Sequence, residues 1–398
     1  MKYKLEVLSP VHIGSGFNIS PVEYVADDKF YRIDMDSLFK DEGFNIDDFI
    51  ENAKFGSFYL GEFYGDIAKG HKRYILEMSS SAKKSLSSRK SEIREFIKTG
   101  NGVYIPGSSI KGALRTAILW YILKNDRELY SKMESYLESI LYSSRKPPNK
   151  KYVDNEIEKF VFGKDPKYDL LKALSVSDTD TKSYSALRVE NIRTLTTRRS
   201  GYGWKSFNIL LEALSVGTNY ELDIKKDEFF ARDEISRELG FGSKINYLDK
   251  IKEICNSYAR EFIEYEINFF GRYNDGNLGN VIEFYKRIKN EEGILLHISW
   301  GAGWHGMTIG GGGLVNESIM EELRTIYGMG KIIHSGCGGK VIEDRRNKGK
   351  LFCTKCKIGS LDREDIEIVK PFPKTRKIVF EDDKPKYPMG WVRLEEIK

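Results

Sequence analysis

The chain has 398 residues, 40% apolar and 31% charged, a balance that excludes a disordered tail and a length that suits two domains with an insert. Net charge is only +5, from 64 basic and 59 acidic residues, so any polyanion must be recognised by clustered Lys and Arg rather than by bulk charge. No run approaches the ~20 apolar residues of a membrane span, and Met1-Lys2-Tyr3-Lys4-Leu5 opens without a signal-peptide core, so a cytoplasmic protein is expected.

Residues 2–8 alternate, with Tyr3, Leu5 and Val7 on one face, and predict a half-buried strand that ends at Ser9-Pro10. After a turn at His12 to Gly16, extended runs Glu23–Ala26 and Phe30–Ile33 flank Asp27-Asp28-Lys29 as a hairpin. Helical patterns follow at about 36–53 and 85–98. The strand Gly102–Ile105 stops at Pro106-Gly107, where Ser108 or Ser109 can cap a helix with a core stripe of Ile110, Leu114, Ala117, Ile118, Tyr121 and Ile122. Prolines and like charges in 145–151 mark an exposed loop near a boundary. Strands Leu187–Leu195, Asn208–Leu214 and Asn219–Ile224, helices at 245–271 and 277–290 and a strand Ile294–Trp300 complete a second group of elements. Two such groups fit a pair of small α+β sandwiches better than one doubly wound sheet.

Residues 301–313 directly follow a strong strand, and seven of the thirteen are glycine. Such density exposes backbone N–H groups to a phosphate-bearing ligand, and a plain linker needs neither Trp304 nor His305; Gly301, Gly303, Gly310, Gly311 and Gly312 are the candidate contacts. The spacing matches neither the P-loop nor the dinucleotide fingerprint, so no nucleotide cofactor is implied. Lys111 and Arg115, four apart on one helix face beside Ser109, offer two cations near a helix N-terminus, as an anion site needs. Arg193, Arg198, Arg199, Tyr202, Trp204 and Lys205, interleaved with glycines, mix cations for phosphates with rings for unpaired bases and favour single-stranded RNA. The Arg198 segment, the Lys111–Arg115 pair and the glycine loop are expected to converge on one surface.

His334-x2-Cys337, fifteen residues, then Cys353-x2-Cys356 is zinc-ribbon spacing with one His, a closed four-ligand set for structural zinc. Gly336, Gly338 and Gly339 permit the knuckle turn, and Cys255 falls in a helical pattern as ordinary core. Catalytic constellations are scarce. Of five histidines, His12 and His305 sit in glycine-rich loops and could act as general acid or base on a ribose hydroxyl, although binding is the commoner use of such residues.

Ser9-Pro10-Val11-His12-Ile13-Gly14-Ser15-Gly16 resembles the N-terminal signature of RAMP-superfamily CRISPR proteins, Ile105–Thr116 resembles their helix start, and 299–314 their glycine-rich loop. Pro373-Lys374-Thr375-Arg376 with Pro388-Met389-Gly390-Trp391-Val392 is similar to the end of one branch, the fifth-subunit family of type III-A (Csm) effectors. The resemblance implies two ferredoxin-like (RRM-like) modules, a place at the head of the complex and contact with the 3′ part of the CRISPR RNA through His12, Gly14, Gly16 and the segments above. It also implies a role in RNA maturation, with the backbone RAMP subunit and the small helical subunit as neighbours and host nucleases doing the trimming. The loop aspartate of the RNA-cutting backbone subunit has no counterpart in context here, since Asp27 and Asp28 lie in a hairpin.

The resulting expectation is an α+β chain divided into 1–172, a first module with a helical insertion; 173–330, a second; 331–360, a zinc-ribbon-like insert; and 361–398, a closing segment. It is expected to bind RNA without cutting it. A metal-independent endoribonuclease using His12 or His305 is the alternative, and a zinc-ribbon assembly module without RNA contact is a third reading.

Overall fold

In the computed structural model, which describes residues 1–56, 58–142, 147–198, 201–273, 276–310, 314–327, 332–343, 350–368 and 373–397, the alternation of residues 2–8 is realised as β1 (Lys2–Val7). Tyr3, Leu5 and Val7 are buried while Lys2 and Lys4 face solvent. The other strands of the two large sheets are β2 (Gly14–Ile19), β3 (Tyr24–Ala26), β4 (Phe30–Ile33), β5 (Lys72–Met78), β6 (Ile93–Phe96), β7 (Leu174–Val176), β8 (Leu187–Thr197), β9 (Tyr202–Leu214), β10 (Asn219–Lys226), β11 (Ile294–His297), β12 (Thr375–Glu381), β13 (Lys384–Pro388) and β14 (Trp391–Ile397). Three helices matter for the site: α1 (Gly107–Asn125), α2 (Ile251–Gly271) and α3 (Gly279–Ile288).

One sheet runs β11-β14-β1-β10-β7, and the larger runs β2-β6-β9-β8-β5-β4-β3, with β12 added to β8 and β13 to β12. Each sheet takes strands from both sides of residue 172, and β1 lies between β10 and the C-terminal β14. The 1–172 and 173–330 segments are thus interleaved in the hydrogen-bonded sheets.

Helix α1 carries the stripe read from its sequence: Ile110, Leu114, Ala117, Ile118 and Ile122 are buried. Leu119, Trp120 and Leu123 are buried as well, because α2 covers a second side and Tyr258 meets Trp120 edge-on at 5.6 Å. Full burial of each such aliphatic side chain contributes about 1.5–3 kcal/mol. The cap differs from expectation. Pro106 occupies the N-cap position, and the Gly107 N–H is taken by Asp178 Oδ1 at 2.7 Å, so a distant loop carboxylate does what Ser108 or Ser109 was expected to do.

The Tyr24–Ala26 and Phe30–Ile33 hairpin is present as expected. The helix expected at 85–98 is corrected: the helix spans Ser80–Ser88, and Ile93–Phe96 is β6, paired parallel to β9 through Ile93 with Leu210 and antiparallel to β2. Pairing on both edges outweighs local helical preference. Residues 14–16, expected as a turn, belong to β2.

The closing segment ties the N-terminal motif to β11. Gly390 donates its N–H to the Pro10 carbonyl at 2.9 Å and accepts from the Ile298 N–H at 2.7 Å. Its φ is +89°, and a Cβ there would lie 1.9 Å from the Ile298 oxygen. Gly390→Ala therefore meets both a forbidden backbone region and a backbone clash, and an expected loss of about 3 kcal/mol or more is checked by urea unfolding of the full chain. An unchanged midpoint would disprove the tie.

Candidate nucleic-acid interface and metal centre

The three motifs resembling the family signature, far apart in the chain, line one cleft of about 420 Å³. His12, Ile13 and Gly14 form one wall, Ser108, Ser109, Gly112 and Thr116 from the first turns of α1 a second, and Ser299 to Met307 the third. Ser299 holds two walls together: its Oγ accepts from the His12 N–H and the Gly301 N–H, each at 3.3 Å. It does so at φ +101°, a region costly for a non-glycine residue and concentrated at functional sites. The α1 N-terminus turns its positive dipole end toward the cleft.

His12 is buried, and its Nδ1 lies 2.7 Å from the Glu212 carbonyl oxygen, an acceptor only, so Nδ1 carries the proton and Nε2 is left as an acceptor. Burial, joined by Arg94 and Lys98 and opposed by the Glu212 carbonyl, holds its pKa down at about 4. At neutral pH it is a neutral imidazole, fit to accept a hydrogen bond from a hydroxyl and poorly matched to acid–base work. Beneath it the fully buried Glu212 carboxylate accepts from Tyr74 Oη at 2.7 Å, Phe96 N–H at 2.8 Å and Lys98 Nζ at 2.5 Å.

The glycine-rich segment is more ordered than a loop: Trp300–Ala302 is a 3-10 turn and Gly303–Met307 a short helix. Several glycines serve close packing rather than ligand approach. A Cβ on Gly301 would strike Met389 at 2.4 Å, on Gly306 His297 at 2.7 Å, and on Gly310 the Trp304 ring at 2.2 Å. Gly14 lies against His12 Nε2, and Gly16 takes φ +93°. Trp304 packs partly buried on the main core, and His305 is buried between Trp304 and Tyr265. Burial, aided by Arg376 and Arg324, depresses His305 to about 3. Gly311 and Gly312 lie outside the described residues.

Lys111 and Arg115, expected as phosphate ligands, have internal partners in this structure. Lys111 Nζ donates to the Leu174 carbonyl at 2.7 Å, and burial lowers its pKa. Arg115 meets Glu158 at 2.6 Å and Asp169 at 2.8 Å, and its guanidinium lies 4.0 Å from the Phe162 ring centroid. Both cations face internal partners, because the residues following α1 fold back over it.

The third segment does not join the cleft. Trp204 pairs across from Leu195 and stands edge-on to Phe380 at 4.7 Å, with the Arg193 guanidinium 5.6 Å from its ring. That is one face of the large sheet, shared with Tyr202 and packed against α2 and α3. Ile192 and Thr194 alternate to the other face, where Trp300 packs. Alternation along β8 therefore separates the expected single surface into two. Arg198 is exposed at the β8–β9 turn, Lys205 is half-buried on β9, and Arg199 lies outside the described residues.

Sequence reasoning missed Arg94, Trp300 and Lys377, which meet above the face carrying Ile192, Leu211 and Val379. Trp300 was assigned to a strand end, and the two cations lie far apart in the chain; only sheet register brings them together. Arg376, in the closing motif, is structural: its Nε reaches both Glu266 oxygens, at 2.9 and 2.7 Å, in a nearly closed pair between β12 and α2.

His334, Cys337, Cys353 and Cys356 come together with their ligand atoms all within 4.8 Å of one another. His334 Nδ1 is 3.2 Å from Cys337 Sγ and 3.1 Å from Cys356 Sγ, and Cys337 and Cys353 Sγ are 3.4 Å apart. Ligand bonds of about 2.0–2.3 Å in a tetrahedron imply edges of about 3.5–3.8 Å, so the set fits a metal such as zinc once these three pairs open by a few tenths of an ångström. All three thiols are free. Each half forms a knuckle, with Gly338 N–H to His334 O at 2.7 Å and Lys357 N–H to Cys353 O at 3.0 Å. A Cβ on Gly339 would sit 2.6 Å from Cys353 Sγ, which explains that glycine. Burial raises the Cys353 thiol, but N–H groups of Cys356 and Lys355 and the neighbouring thiols outweigh it and hold the group below its ordinary value. Cys255 is buried in the main core, as expected.

This interleaved α/β architecture, with a glycine-rich segment closing on an N-terminal motif, is that of a RAMP protein: the chain belongs to the RAMP superfamily, whose model matches residues 4–315. Among curated proteins it is similar to Csm5 of a CRISPR system in Methanocaldococcus jannaschii, 25% identical over 99% of this chain and 88% of that one. Solved structures with the same fold include a chain of a type III-A Csm–crRNA–target RNA ternary complex, with TM-score 0.69, 24% identity and coverage of 99% of this chain and 100% of that one. Csm5 of T. onnurineus matches with TM-score 0.64 and 23% identity, over 98% of this chain and 99% of its own. Among the described residues no helix is long and apolar enough to cross a membrane.

Proposed function

We propose that the chain is a non-catalytic subunit of a type III-A (Csm) CRISPR effector that grips the 3′ part of the guide RNA, as a single strand, in the three-motif cleft. The observation that carries this reading is the convergence of His12–Gly14, Ser108–Thr116 and Ser299–Met307 on one concave surface. It offers a helix N-terminus, hydroxyls and a hydrogen-bond-accepting imidazole, the groups that recognise phosphate and ribose. In this reading the chain stands at the head of the complex in the cytoplasm, against the backbone RAMP subunit and the small helical subunit, and supports guide maturation. Two ferredoxin-like (RRM-like) modules, interleaved through the shared sheets, carry the cleft. A zinc-ribbon-like insert at 331–360 takes one structural zinc. The similarity to Csm5 over nearly the whole chain supports the assembly.

Cross-linking of the reconstituted particle followed by mass spectrometry tests the reading directly. RNA adducts are expected on peptides containing 9–16, 107–116 and 297–307; adducts confined to other surfaces would sink it. The isolated chain is expected to leave repeat RNA intact. Neither histidine has a pKa near the operating pH, His12 lying at about 4 and His305 at about 3. Cuts that vanish in His12→Ala would instead establish an endoribonuclease.

A further inference from the structure

Two cations meet at one indole on the face of the large sheet that carries Ile192, Leu211 and Val379. The Arg94 guanidinium lies 4.4 Å and Lys377 Nζ 5.0 Å from the centroid of the half-buried Trp300 ring. They come from β6 and β12, strands separated in the sheet by β9 and β8, so nothing local in the chain brings them together. Among the described residues neither pairs with a carboxylate. Lys377 Nζ donates to Thr194 Oγ1 at 2.9 Å, and the Arg94 guanidinium lies over the Trp300 ring. Burial and the neighbouring guanidinium both work against the Lys377 charge. A ring face offsets part of that cost, yet two like charges held together without an acid leave a field that an anion would neutralise. Trp300 is also a lining residue of the three-motif cleft, and its backbone N–H donates to the His12 carbonyl at 3.1 Å, which places the pair of cations at the rim of that cleft.

We infer that Arg94, Trp300 and Lys377 form a phosphate clamp for a single-stranded nucleic acid leaving the cleft, with the indole positioning the two cations rather than stacking on a base. The inference rests on the nucleic-acid reading above and adds the clamp to it. A phosphodiester oxygen bridging the guanidinium and the ammonium makes charge-assisted hydrogen bonds, while sugar and base play no part, so the clamp is blind to the difference between ribose and deoxyribose.

The test uses the full-length chain with fluorescent oligo(U) and oligo(dT) probes in a salt titration. Arg94→Gln and Lys377→Gln are each expected to weaken both probes about tenfold at low salt and to lower the slope of log K against log salt by about 0.7. Arg94→Lys, which keeps the charge, should restore the slope, and thermal melting confirms that each variant is folded. If the wild-type chain binds the probes and both Gln variants bind with an unchanged slope, the clamp is wrong while the RNA-binding reading stands. Weakening of oligo(U) alone would likewise overturn it, since a sugar contact would then be responsible. Failure of the wild-type chain to bind either probe removes the reading and the clamp with it.

Discussion

Taking the protein from pH 7.5 to pH 4.5 is expected to remove most of its stability through three neutral histidines, His12 and His305 buried and His297 half-buried. His12 and His297 are held at about 4 and His305 at about 3, against an ordinary 6.5. Burial is the main cause in each, with Arg94 and Lys98 adding at His12, and Arg376 and Arg324 at His305. His297 is stacked on Trp391 at 4.5 Å with planes 4° apart, and its Nε2 donates to the Met389 carbonyl at 2.8 Å. Because the folded pKa lies below the unfolded one, the unfolded chain binds protons that the fold refuses between these values. The stabilisation is complete above about pH 6.5 and falls as the pH drops toward the folded values. At pH 4.5 each histidine accounts for about 2–3 kcal/mol, and together they approach the whole stability of a typical domain. Urea unfolding at the two pH values reads the loss, and His297→Phe, which keeps the ring stack, is expected to recover about a third of it. A pH dependence identical in the wild type, His297→Phe and His12→Asn would mean that other groups are responsible.

Removal of the metal is expected to have an effect as large but confined to one region. Among the described residues, the segment around the His334, Cys337, Cys353 and Cys356 cluster has a core of Val341, Cys353 and Leu361 with a few half-buried neighbours, too small to hold short strands alone. A closed zinc site is worth about 10 kcal/mol or more to such a unit. One zinc per chain is expected by elemental analysis. Cys353→Ser or a strong chelator should abolish it and unprotect the amides of 332–343 and 350–366 in hydrogen exchange, while β1 and α1 keep their protection. Metal-replete protein without zinc, or a Cys353→Ser variant with unchanged zinc, would refute the site. Collapse of the whole chain on chelation would show that the insert is not energetically separate.

Much of the local structure was legible. The period-2 pattern of β1 and β10 and the stripe on α1 appear as expected because burial on one face leaves a direct imprint on residue order. β5 was missed although Tyr74, Leu76 and Met78 alternate with exposed residues. β6 was not legible: its four residues become a strand because β2 and β9 pair with it. The α1 cap was misread for a related reason, Asp178 being far away in the chain.

What residue order determined by itself was whatever depends on neighbours in the chain: strand and helix periodicity, the two knuckle spacings of the His/Cys cluster, and the three motifs that turned out to face one another. Tertiary structure decided which charges remain available, because an ion's partner is set by packing and not by spacing. Glu158 and Asp169 claim Arg115, the Leu174 carbonyl claims Lys111, and Glu266 claims Arg376, whereas Arg94 and Lys377, unremarkable in the sequence, end beside one tryptophan with no acid paired to them among the described residues. Tertiary structure also decided the face. The alternation of a strand says which residues lie together, but only the sheet's place between α2 and the cleft determines that Trp204 turns inward against Phe380 while Trp300 rims the opening.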